Sequence, residues 1–319
     1  MDTETRLSTP WLDTFTRPRG TFGFAAFRIV AGSTILYQYL INHAERRFLY
    51  GPNCVYPFRN GVAAAFPWLG WGHSYFWFEF VYHAGIVAAV LWLLGWRTRF
   101  VTPILYVLWR SLDDRNPLLA DGGDNLVALL MFYACFADVS ARGSLDARLR
   151  PRREPVTLFD KCAGMLHNTA LLAMLFQVCV LYAVAGLTKV QGTAWRDGTA
   201  IYYAFRTAEF SWPGFSEFVY SSPIVVTILS YATVAVQISF PFCVTLNAHS
   251  RRVILLLAIG FHLGVGAFMG LVTFASFMIA ADLLFIPDED YQRWGRYLTR
   301  VRIRCTELYG RRLRTEEQK

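Results

Sequence analysis

Apolar runs of about 17–25 residues, long enough to cross the hydrocarbon core of a bilayer, follow one another along this chain at roughly 22–43, 76–96, 98–114, 124–140, 168–189, 222–246, 252–269 and 271–287. They predict an all-α, polytopic membrane bundle of about eight transmembrane helices. Only 17% of the residues are charged and 55% are hydrophobic, whereas soluble domains carry roughly 25% charged residues; disorder is excluded and an ordinary soluble fold is disfavoured. The third and fourth runs, TRFVTPILYVLWRSLDD and DNLVALLMFYACFADVS, are short and charged near both ends, so they need tilting or partner helices to fit the bilayer.

The net charge of +8 is read first as a topology signal, because Lys and Arg collect in cytoplasmic segments. With the N-terminus inside, 22 of the 31 basic residues fall on the cytoplasmic side, 7 fall on the opposite side, and Arg28 and Arg110 lie within spans. Both termini are therefore expected in the cytoplasm of a plasma membrane, with a bacterial inner membrane the expected setting. The first 21 residues lack a signal-cleavage pattern, which makes the first span a retained anchor. The expected organisation is a cytoplasmic segment 1–21, a membrane domain 22–287, and a basic tail 288–319. In that tail Trp294, Leu298, Val301, Cys305 and Leu308 recur at helical spacing between arginines, the pattern of a helix lying on anionic lipid rather than on nucleic acid. Of six cysteines only Cys54 is placed outside, and no CxxC pair or second histidine at ligand spacing points to a disulfide or metal.

Ionisable residues inside spans are functional candidates by default. Arg28 lies close enough to the cytoplasmic end to snorkel. Glu79 and His83 share a face of span two at i, i+4, either as a mutually satisfied pair or facing a polar cavity. Asp282, near the inner end of span eight, is expected to partner an inner arginine. In WRSLDDRNPLLADGGDN, Asp121 or Asp124 is placed to cap span four, while Arg110 one turn inside span three suggests an Arg–Asp arrangement. His262 falls near the bilayer midplane among Gly260, Gly264, Gly266 and Ala267, residues small enough to let helices approach. The strongest local signal is VLYAVAGLTKVQGTAWRDGTAIYYAF, where a long apolar helix ends in Lys189, followed by Gly192, Trp195, Gly198 and an interfacial stretch. An amine kept neutral under aromatic cover can serve as a general base; a snorkelling lysine is the plainer alternative.

Four segments together, WRTRF at 96–100, RNPLLADGGDNLVALLMFYACFADVSARGSLDAR at 115–148, YAVAGLTKVQGTAWRDG at 182–198 and FHLGVGAFMGLVTFASFMIAADLLF at 261–285, resemble the HTTM family, whose best-characterised members are the vitamin K-dependent γ-glutamyl carboxylases. The resemblance spans about 22–287, and AGLTKV is its most specific element. In the carboxylases the lysine of AG-x-x-K deprotonates the reduced quinone, so the resemblance implies Lys189 as that base and His262 of Phe261-His262 as a residue lining the quinone. It also implies reduced vitamin K or menaquinone as cofactor and a lyase-class carboxylase or epoxidase-like activity; Asp124 and Trp195 are taken as further candidates for binding that cofactor. Two departures stand beside it. Gly122-Gly123-Asp124 replaces the carboxylases' Asn-His pair, and the sequence runs out after span eight, without their large extracytoplasmic domain. Short relatives of this kind include a membrane component that helps mature a secreted bacterial toxin peptide. Two functions follow as expectations: a quinone-dependent enzyme, or a maturation factor whose polar cluster recognises an exported peptide or an accessory subunit. A transporter is disfavoured, because no inverted repeat or pair of broken helices is visible.

Overall fold

The computed structural model describes residues 15–55, 74–149, 157–297 and 299–302. These residues form helices α1 (Thr21–Ile41), α2 (Arg46–Tyr50), α3 (Tyr75–Leu94), α4 (Thr98–Asp113), α5 (Gly122–Ala134), α6 (Leu145–Leu149), α7 (Leu158–Gln191), α8 (Thr193–Arg196), α9 (Ala200–Arg206), α10 (Phe215–Tyr220), α11 (Pro223–Leu246), α12 (Ala248–Met269) and α13 (Val272–Asp282). A last helical segment covers residues 288–297 and 299–302. Among the described residues there is no strand.

Every apolar run corresponds to a helix, but among the described residues only five, α1, α3, α7, α11 and α12, are long and apolar enough to cross a membrane. The other three have 16, 13 and 11 residues, which at about 1.5 Å per residue gives roughly 24, 20 and 17 Å. Packing accounts for them. Neighbouring helices touch in the circuit α1, α3, α4, α5, α7, α11, α12, α13 and back to α1, and α5 also touches α13 across it. α13 thus lies among other helices, where protein rather than lipid surrounds most of it, while α5 packs a broad face inward and leaves Leu129 and Phe132 exposed. α13 accordingly buries Ala275, Phe277, Met278, Ala280, Ala281 and Asp282 around its circumference.

Alternate helices run in opposite senses, so the polypeptide gathers its connections at two ends. At the end holding most of the arginines, α1 begins at Gly20, which has no side chain to cap it. Asp288 does so instead, accepting from Phe22 N at 2.9 Å and Thr21 N at 3.2 Å. Asp146 caps α4 in the same way, accepting from Arg97 N at 2.9 Å and Thr98 N at 3.2 Å. α7 starts ten residues before its apolar run, because the Thr157–Asp160 capping box opens a polar turn that an apolar-period count passes over.

Arg28 does not snorkel. It is fully buried: Nε donates to Val139 O at 3.1 Å, Nη1 to Trp92 O at 3.0 Å and to Leu93 O, and Nη2 to Gly143 O at 2.6 Å. Trp92 and Leu93 close α3 at its negative pole, where helical donors run out; Trp92 O also accepts from Gly95 N at 2.9 Å. The chain leaves helical geometry after Ala134, which frees the carbonyls of Val139 and Gly143 to converge on the same guanidinium. Gly95 is required here, since its φ is +69° and a Cβ would fall 2.3 Å from Ser144 Cβ and 3.0 Å from Arg28 Cζ.

The expected close approach around His262 is also different in detail. A Cβ on Gly260 or Gly264 would meet no described atom within 4 Å, and only Gly266 lies against a neighbour, Ala275, at 3.1 Å. The close crossing is elsewhere, at Gly186, where a Cβ would sit 2.7 Å from Ile238 Cγ1. That small residue draws α7 against α11. In the tail, Trp294, Tyr297 and Val301 are exposed on the helical segment; Leu298, Cys305 and Leu308 lie outside the described residues.

Candidate functional site

The buried stripe of α7 runs through Met174, Val178, Tyr182 and Gly186, and at i+3 from Gly186 the next position on that face is Lys189. Seven residues separate Tyr182 from Lys189, about 10 Å along the axis. Lys189 is half-buried, with Nζ 5.2 Å from the centroid of the Trp195 ring. Gly192 makes this possible by ending α7 and turning the chain so that α8 brings Trp195 back over the helix end. Past Gly198, α9, α10 and the first turn of α11 form a small second core of Ile201, Phe205, Val219 and Val226, with Trp195, Phe268 and Met269 packed on it. The interfacial stretch is therefore a folded cover of short helices over the α7–α11–α12 end. Tyr203, Phe215 and Phe218 remain exposed on it.

Below Lys189, α7, α12 and α13 bring three polar groups together. The Tyr182 hydroxyl donates to Asp282 Oδ1 at 3.0 Å and stands 2.8 Å from His262 Nε2. His262 Nδ1 is buried without a partner. Phe240 stacks on Tyr182 with centroids 3.9 Å apart, and Phe274 lies 5.8 Å from the imidazole. Asp282 is thus the partner of a tyrosine, not of an inner arginine. A phenol meets the carboxyl group there without a buried ion pair. Gln237, whose Oε1 is likewise buried and unpartnered, faces α7 beside Gly186.

Tyr182→Phe keeps the ring stack and removes the hydroxyl from two buried neighbours. Each buried polar group left unmet costs about 1–3 kcal/mol. Thermal unfolding in detergent should show a clear loss of stability; an unchanged melting temperature would mean that the hydroxyl does not hold His262 and Asp282.

The remaining candidates assemble in two further clusters. Asp121 caps α5 and forms a reciprocal capping box with Asp124, and burial raises the Asp121 carboxyl above its ordinary range against the hydrogen bonds it accepts from Gly123 and Asp124. Asp124 also accepts from Gln38 Nε2 at 2.7 Å, and Gln38 Oε1 from Trp109 Nε1 at 3.0 Å. Arg110 joins neither Asp121 nor Asp124; it pairs with Asp113 and Asp114, three and four residues along its own helix. Glu79 and His83 do approach, at 3.6 Å, but Glu79 is held mainly by Arg46 at 2.9 Å and Arg47 at 2.6 Å. His83 in turn stands 3.4 Å from His43. Among the described residues no three His, Cys, Asp or Glu side chains are placed to hold a metal.

Tyr182, Gln38 and Gln237 do not stand out in the sequence, because each is an uncharged polar residue in an apolar run. For Tyr182 a signal exists, since it lies two helical turns from Lys189 on one face.

These features define a polytopic helical membrane protein with a buried polar cluster beneath a covered lysine. The chain belongs to the HTTM family, whose domain matches residues 16–290. The sporulation-delaying protein SdpB of Bacillus subtilis is 24% identical over 283 residues, covering 87% of this chain and 82% of SdpB. YitO of the same organism is 26% identical over 220 residues, 68% of this chain and 69% of YitO. No solved structure matches.

Proposed function

We propose that this protein is a membrane maturation factor for an exported peptide, working at the Lys189 end of the bundle. The observation that carries this reading is the similarity to SdpB along most of both chains, taken with the HTTM members that mature a secreted toxin peptide. The geometry supports it: the Lys189 end offers a cationic group under Trp195 beside the exposed rings of Tyr203, Phe215 and Phe218, a surface suited to an amphipathic segment leaving the membrane. Eight bundle helices with both termini cytoplasmic would put this surface outside, in keeping with the partition of the basic residues, and the setting is a bacterial cell membrane. A photo-crosslinking residue in place of Tyr203 or Phe218 should trap a peptide precursor in whole cells. Adducts with lipid alone would count against the proposal.

A second reading, a reduced naphthoquinone deprotonated by Lys189, is supported by one feature. The face of α7 that carries Lys189 leads down to His262, whose unpartnered Nδ1, like Gln237 Oε1, suits a hydroxyl-bearing ring. Trp195 would cover that ring, and the quinone when bound would supply oxygen-dependent chemistry. In this chain the step belongs to the lysine amine, which accepts the hydroxyl proton. Asp124 contributes little to such a site, being already engaged by Gln38 and the α5 cap.

A further inference from the structure

At the arginine-rich end, away from Lys189, a cleft of about 660 Å³ opens between the start of α4, the loop after α5, α6 and the first turns of α7. Arg99, Arg142 and Arg148 line it. Arg99 stands over the Phe159 ring at 5.8 Å and Arg142 over the Phe22 ring at 4.9 Å; among the described residues none of the three arginines forms an ion pair. The cleft's two carboxylates are already engaged. Asp146 caps α4, and Asp138 accepts from Ser140 N at 3.1 Å and Ser140 Oγ at 3.0 Å. Three arginines therefore line one space against two carboxylates, neither of which pairs with them, and guanidinium is the group that binds phosphate through paired N–H donors. The apolar part of the lining includes Phe136 and Phe159, both exposed, and these would serve a ligand that brings hydrocarbon with its charge.

We propose that this cleft binds the phosphate headgroup of an anionic membrane lipid, with its chains running out past Phe136 and Phe159. The site is separate from the peptide-facing end and does not depend on the function assigned there. Its volume lies within the range of small-molecule sites, about 300–1,000 Å³. Basic pockets between helices at the membrane surface take such headgroups, each arginine adding about fivefold to the affinity.

The test uses the full chain, purified in detergent, delipidated and offered phosphatidylglycerol or phosphatidylcholine, with retained lipid counted by native mass spectrometry. The chain should keep phosphatidylglycerol in preference to phosphatidylcholine. Replacing Arg99, Arg142 and Arg148 together by Gln should cut that retention on the order of a hundredfold, from three such factors. Ala163→Trp, which fills the cleft without changing charge, should also lose the lipid. Replacing Arg296, Arg300 and Arg302 by Gln removes the same charge from the last helical segment and should leave retention intact. Equal loss in this tail variant, or retention in the cleft variants, overturns the proposal. Displacement of the lipid by millimolar inorganic phosphate alone overturns its lipid half and makes the occupant a soluble anion.

Discussion

Lys189→Ala is expected to abolish maturation of the exported peptide while the bundle stays folded. Within the protein the substitution removes a single, half-exposed cation–π pair with Trp195, worth about 0.5–1 kcal/mol, so stability should hardly move. Function should fall much further, because among the described residues Lys189 is the cation that the buried face of α7 carries to this end. Lys189→Arg separates the two functional readings. A lysine that binds the peptide by charge tolerates arginine, whereas a general base does not, since a guanidinium stays protonated. Exogenous amines should restore the Ala variant only under the second reading. An Ala variant with full maturation activity would remove Lys189 from both.

The largest effect on folding is expected at Arg28. Arg28→Met fills much of the same space but strips donors from the carbonyls of Trp92, Leu93, Val139 and Gly143 at once. Breaking a buried charged network from one side costs about 3–5 kcal/mol. Arg28→Lys should recover little, because an ammonium is a compact donor on a flexible stem and cannot reproduce the planar fork. Thermal unfolding in detergent measures both. A methionine variant as stable as the parent would mean that these carbonyls are satisfied in some other way.

The helices are legible in the sequence because lipid-length apolar periodicity and capping residues are local properties: the runs, the Asp121 cap and the turn after Lys189 can all be read from spacing. What periodicity cannot register is which helix ends up inside. α13 reads as an ordinary span, yet it is short because other helices surround most of it, and α5, weak in the sequence, packs one broad face against them. The same limit applies to single residues. Arg28 reads as able to reach water, because nothing in the sequence near it announces the carbonyls of α3 and of the 139–143 loop. Charge alone matches Asp282 to arginines, whereas its partner, Tyr182, lies 100 residues away. Lys189 and Trp195 can be paired from the sequence because six residues and a glycine turn connect them; His262 and Tyr182 meet only through the packing of α12 on α11 and α13.

Whether this protein acts on an exported peptide is tested most directly by deleting its gene in the source organism and profiling small peptides in the medium. The expected result is that one peptide loses its mature form while its precursor accumulates in the cells, and that the intact chain restores it but the Lys189→Ala variant does not. An unchanged set of exported peptides and precursors, under conditions where the protein is made, would contradict a maturation role.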